Sequence, residues 1–171
     1  HRPSVNFRST TGLRALETRS KGNTMTALFR PPAQSLRTST GLLIIRVLAG
    51  VAFIYHGYDK ILDPFGWMGD DAPFPALLLA LAALSEFGGG IAWILGVLTP
   101  LASLGLACTM AVATWFLAVV REAPFVASGG SSYELAAVYL AVALLLLLSG
   151  PGKLSLDAVL FRRRAANERT G

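Results

Sequence analysis

The sequence predicts an all-α integral membrane protein built as a four-helix transmembrane bundle, and three observations carry that prediction. Hydrophobic residues make up 53% of the 171-residue chain and charged residues only 15%, where soluble domains average about 25% charged. Mean hydropathy is +0.55. Between Gly41 and Gly150 only ten residues are charged, and the runs 74–85, 87–120 and 135–150 contain none. These runs are continuous and do not alternate with polar residues, which argues against a β-barrel.

A helix needs about 20 mainly apolar residues to cross about 30 Å of hydrocarbon. The 87–120 run is too long for one helix. Thr99-Pro100 divides it, because proline lacks an amide hydrogen and disfavours helix at the preceding residue. Four spans follow, at 41–58, 74–98, 101–120 and 133–149, with the first and last extending into their flanks. The turn at Thr99-Pro100 is short enough to make the second and third spans antiparallel neighbours.

The ends differ from the middle. Residues 1–40 hold seven Lys/Arg and one acidic residue, Glu17. They are rich in Ser and Thr without an apolar period, and read as disordered. Met25 opens "MTALFRPPAQSLR" and reads as a natural start, which makes residues 1–24 upstream sequence. Beyond the fourth span, "GPGKLSLDAVLFRRR" reads as a turn and a short helix capped by Ser155. Leu156, Val159 and Leu160 form its apolar stripe, and a basic tail follows at 162–171. The domain organisation is thus a basic segment (1–40), a membrane domain (41–161) and the tail.

Charge sets the orientation. Residues 150–171 carry five Lys/Arg, whereas the loop 59–73 has Lys60 against four aspartates and the loop 121–132 has Arg121 beside Glu122. Basic residues favour the cytoplasmic face, so both termini of this multi-pass membrane protein are expected in the cytoplasm. The net charge of +5 is accounted for by topology. No motif supports nucleic-acid binding. The one cysteine, Cys108, rules out an internal disulfide or a thiolate metal cluster, and no metal site is expected.

Small residues let helices approach in lipid, where burial alone does not drive association. Gly50 and Gly57 mark a packing face on the first span. Gly88, Ala92 and Gly96, with Gly89 in the same "GGG" run, mark one on the second. Charges in lipid are costly and face a bundle interior or a partner. Arg46, His56, Asp59, Lys60, Glu86 and Glu134 are therefore the candidate site, an intramembrane polar seam. Arg46, Gly50, Phe53, Gly57 and Lys60 share one helical face, which should look inward. Arg46 is expected to pair with Glu86, and His56, Asp59, Lys60 and Glu134 to form a cluster at the outer mouth. His56 is suited to proton relay near neutral pH.

These residues also resemble a known family. "IRVLAGVAFIYHGYDKI" resembles the first helix of the DoxX family of small membrane proteins, and "SEFGGGIAWILGVLTPLA" is similar to its second helix and tight turn. "SSYELAAVYLAVALLLLLSGPGKLSLDAVL" resembles its last helix and "SLD"-containing end, so the likeness covers about 41–161. Matching positions are Arg46, His56, Gly57, Lys60, Glu86, Gly89, Gly96, Glu134, Gly150 and Asp157. Pro100 stands where an arginine is common in the family. The resemblance implies a four-helix inner-membrane protein that is a membrane subunit or accessory of a quinone-linked redox system of sulfur or oxidative-stress chemistry, with quinone as the implied ligand and redox-complex subunits as partners besides the bilayer; a homo-oligomer is what a transporter would require. No catalytic motif of its own is present. A non-catalytic structural or assembly protein, and a small-solute or proton transporter, stay open beside that function.

Overall fold

The computed structural model describes residues 34–160; the expectations for the basic N-terminal segment up to residue 33 and for the tail lie outside them. Four long helices follow in order: α1 (Leu36–Leu62), α2 (Ala76–Leu95), α3 (Thr99–Trp115) and α4 (Glu134–Ser149). A five-residue π-helical stretch, Phe116–Val120, continues α3, and one further helical turn occupies 156–160. No strand occurs among the described residues. This is the expected all-helical membrane bundle.

Each boundary has a local cause. Ser35 caps α1, its hydroxyl accepting the Thr38 amide at 3.1 Å, so the helix opens five residues before the expected boundary and inside the segment read as disordered. Its 27 residues span about 40 Å at 1.5 Å per residue. Gly96 ends α2 in the left-handed region, with φ +66°. Its amide reaches the carbonyls of Ala92 and Trp93, and the Val97 amide reaches Ala92, the paired bonds of a glycine-terminated helix. Glycine, more than Thr99-Pro100, therefore stops α2. Pro100 lies in the first turn of α3, where a missing amide hydrogen costs nothing.

Three helices, counting α3 through Val120, are long and apolar enough to cross a bilayer; α4 is a shorter apolar helix. Its 16 residues reach about 24 Å, short of the roughly 30 Å hydrocarbon layer.

Helix α1 packs on α2, α2 on α3 and α3 on α4, and α1 touches α4 only lightly. Glycine sets the α1–α2 distance. A Cβ on Gly50 would lie 2.7 Å from the Gly90 carbonyl oxygen, and one on Gly57 would lie 2.5 Å from the Phe87 nitrogen. Gly89 faces α3, where a Cβ would meet Leu106 at 3.0 Å. Gly88 does not follow the expected packing stripe: a Cβ there meets only Leu84 of its own helix, at 3.5 Å. The buried face of α2 instead runs through Leu79, Ala83, Glu86, Gly89, Gly90 and Trp93, and Ala92 is half-buried beside it. In the core, Phe53 meets Trp93 edge-on at 5.5 Å and Tyr139 at 4.8 Å. The Trp93 indole donates to the Ser103 hydroxyl at 3.0 Å.

Candidate functional site

Two polar centres sit on the buried face of α1, fourteen residues apart, or about 21 Å along the axis. The first is built on Arg46, which is completely buried. Its Nε donates to the Trp93 carbonyl at 2.8 Å. Nη1 donates to the Pro151 and Leu154 carbonyls, and Nη2 to Ile94. Trp93 and Ile94 lie in the last turn of α2, whose carbonyls have no intrahelical donors and carry the negative end of the helix dipole. The guanidinium therefore caps α2 and ties the segment after α4 to it. Gly96 makes room: a Cβ there would collide with Arg46 Nη2.

Asp157 completes this centre from the other side. Its carboxylate accepts the amides of Leu98 at 2.9 Å and Thr99 at 3.0 Å, and its own amide donates to the Gly96 carbonyl. An anion thus sits on the amino end of α3, where exposed amides and the helix dipole favour negative charge. Leu98 holds φ +49°, an uncommon conformation for a residue with a side chain, and its amide is one of the two that Asp157 holds. Ser155 Oγ accepts the Ala158 amide at 3.1 Å, which fits the expected cap and aims Asp157 inward. Leu156, Val159 and Leu160 remain exposed.

The second centre is an ion pair. Lys60 Nζ lies 2.7 Å from both oxygens of Glu86. The glutamate side chain is 4% exposed and the lysine side chain 25%. The Trp67 ring covers the ammonium, 4.5 Å from Nζ to the ring centroid, and its indole N–H donates to the Leu79 carbonyl at 3.2 Å. The loop turn that delivers Trp67 closes on Asp63, whose carbonyl accepts the amides of Gly66 and Trp67.

Two expected pairings are therefore corrected. Arg46 does not meet Glu86, and Lys60 does not meet Glu134. The reason is the lean of helical side chains, which tilt toward the helix N-terminus. On α1 both long cations reach back along the chain. Arg46 leans away from Glu86 to the end of α2, and Lys60 leans down to Glu86. Glu134 stays exposed at the first position of α4, where its charge suits the helix dipole. His56 and Asp59 are exposed. His56 meets the edge of Tyr139 at 6.1 Å, and neither residue joins an outer cluster with Glu134. Among the described residues no group of three metal-ligating side chains converges.

Trp67 leaves no signal in the sequence beyond that of an aromatic residue in the loop between the first two spans. Asp157 is reached only through resemblance. The signal for Asp157 was local, since an acidic residue two positions after a capping serine in a buried turn needs partners.

The DoxX family model matches residues 41–119. A relative from Haemophilus influenzae, described as an uncharacterized protein, is 32% identical over 126 residues, covering 71% of this chain and 92% of the relative. The chain belongs to the DoxX family. No solved structure matches it significantly. In this DoxX protein the residues matched by the family model hold Arg46 of the first centre and Lys60, Trp67 and Glu86 of the second. Asp157 lies beyond them. The DoxX bundle is a multi-pass membrane protein whose outward face, including Leu48, Leu77, Leu101 and Leu148, meets lipid.

Proposed function

We propose that this DoxX-family protein is a membrane subunit of a quinone-linked redox system in the inner membrane, with both termini in the cytoplasm. The observation that carries this reading is the Lys60–Glu86 pair. Every Arg46 contact goes to a backbone carbonyl that holds the fold together. Lys60 and Glu86 bond each other, and a quarter of the lysine side chain is open. Reduction of a quinone to the hydroquinone takes up two protons and two electrons. Lys60 supplies a half-buried N–H donor for a ring carbonyl, and Glu86 is the carboxylate through which a proton passes. The flat indole of Trp67 beside the ammonium suits a second planar ring. Cys108 is a single thiol, so a partner subunit is the source of the electrons. The cytoplasmic ends follow from the basic residues gathered at 1–40 and 150–171.

A structural or assembly role is the second reading, favoured by the Arg46–Asp157 clasp, in which both charges are spent on backbone groups. Purification from native membranes in mild detergent separates the two. The redox reading expects bound quinone and redox subunits with the wild type, and loss of quinone without loss of subunits when Lys60 and Glu86 are both changed to Met. Partner proteins without quinone favour the assembly reading. Absence of quinone together with unchanged quinone reduction in a deletion strain sinks the redox reading.

A further inference from the structure

The surroundings of the Lys60–Glu86 pair differ on its two sides along the bilayer normal. Toward the end of the bundle that carries Arg46, the interior is closed by contact. Gly57 lies so near α2 that a Cβ would come within 2.5 Å of the Phe87 nitrogen. One turn further, Phe53 and Trp93 are both 0% exposed and meet edge to face. Toward the loop between α1 and α2, an aromatic side chain covers the pair. The Trp67 ring lies over Lys60, held by one indole hydrogen bond to Leu79 and delivered by the turn at Asp63–Trp67. A quarter of the Lys60 side-chain surface is exposed.

We infer that the Lys60–Glu86 pair is a one-sided site, reached by water and protons only from the α1–α2 loop side, and that Trp67 is the positioning residue that roofs it. The inference uses the site on which the proposed function rests but not its quinone chemistry. The roof does two things. A ring on the ammonium face satisfies the lysine through cation–π attraction and holds it down against the carboxylate. The ring also keeps bulk water from a pair whose mutual attraction grows as water is excluded. A path along the α1–α2 seam to the opposite face would have to part Gly57 from Phe87 and Phe53 from Trp93. The geometry therefore disfavours a transport route and suits proton exchange with one compartment.

The test uses the intact protein in sealed vesicles of both orientations, treated with a membrane-impermeant sulfonated amine-acylating reagent. Mass spectrometry of the peptides then reads Lys60 and Lys153 separately. Lys153 is exposed at the opposite end of the bundle and reports the other face and the integrity of the fold. In the wild type, Lys60 should react slowly from the face where Lys153 is protected, and not at all from the face where Lys153 reacts. Trp67→Leu should raise Lys60 acylation about tenfold from the loop side only, at unchanged Lys153 reactivity; Trp67→Phe, which keeps a ring but loses the indole bond, should fall between. Equal Lys60 reactivity from both faces overturns the one-sided site. No rise with Trp67→Leu overturns the roof. Should Trp67→Leu fail to accumulate, the wild-type sidedness and the Trp67→Phe rise decide the same two points. Quinone content measured on the same samples moves independently, so failure of this inference and failure of the redox reading are told apart.

Discussion

Replacing Asp157 by alanine is the sharpest probe of how the bundle is closed. The carboxylate is nearly buried, at 7% exposure, and it accepts two backbone amides at 2.9 and 3.0 Å. Hydrogen bonds to a charged group contribute about 1.5–3 kcal/mol each, and a buried donor left without a partner costs its full desolvation. The site lies at the end of the bundle, where water can repair part of the loss, so the lower figure applies to each bond and the sum is about 3 kcal/mol. For a chain of this size 1 kcal/mol moves the melting temperature by about 2–4 °C. Asp157→Ala should therefore lower it by about 6–12 °C in detergent, measured by tryptophan fluorescence or by size-exclusion after heating. Asp157→Asn keeps an acceptor oxygen and loses the charge, and should fall between alanine and the wild type. If Asp157→Ala melts within a degree of the wild type, or if asparagine is the worse of the two, the carboxylate is not what holds the α2–α3 turn.

Three further outcomes follow from the same geometry. Lys60→Met strands the Glu86 charge in the interior and should destabilise by about 3–5 kcal/mol, whereas the double change to Met at Lys60 and Glu86 should recover most of that; thermal melts of the three variants check it, and a double variant no better than the single one refutes the pair. Gly90→Ala forces a methyl to within 2.7 Å of the Gly50 carbonyl oxygen and should cost about 1–3 kcal/mol by overpacking, while Gly88→Ala, which meets only Leu84 at 3.5 Å, should be near neutral; the contrast in yield of folded protein tests the α1–α2 approach. Gly96→Ala meets both a left-handed backbone and the Arg46 guanidinium, and should reduce folded protein more than Gly90→Ala does when both are assayed by gel filtration.

How much of this was legible depends on which physical signal each feature leaves in the chain. The helices leave a strong one: long uncharged runs can only be lipid-spanning, and the break near Thr99-Pro100 was visible. The inward face of α1 was readable from the 3.6-residue period, because Arg46, Phe53 and Lys60 carry distinctive side chains. On α2 the same period points to Gly88, Ala92 and Gly96, with Gly89 beside them. Three consecutive glycines have no side chains to declare a face; Gly89 and Gly96 are buried, Gly88 faces no other helix, and Gly90 joins the buried side unannounced. The ion pairs were misassigned because levels were counted between backbone positions. A lysine or arginine carries its charge well away from its own Cα and always leans to the N-terminal side on a helix. Once that lean is applied, Lys60–Glu86 follows from the sequence and Arg46–Glu86 does not. The clasp on the α2–α3 turn was out of reach, since nothing local in "SLD" says which amides, nearly sixty residues away, its carboxylate will find.

The contacts of Arg46 also fix an order of events during synthesis. Its first carbonyl partners, on Trp93 and Ile94, are made 47 and 48 residues after it, and the last two, on Pro151 and Leu154, 105 and 108 residues after it. At about 5–20 residues per second, the first helix waits several seconds with an incompletely satisfied guanidinium. The guanidinium is fully paired only when the segment following α4 emerges and closes over it, so a nascent chain stalled before Pro151 should be extracted from the bilayer more readily than a finished one.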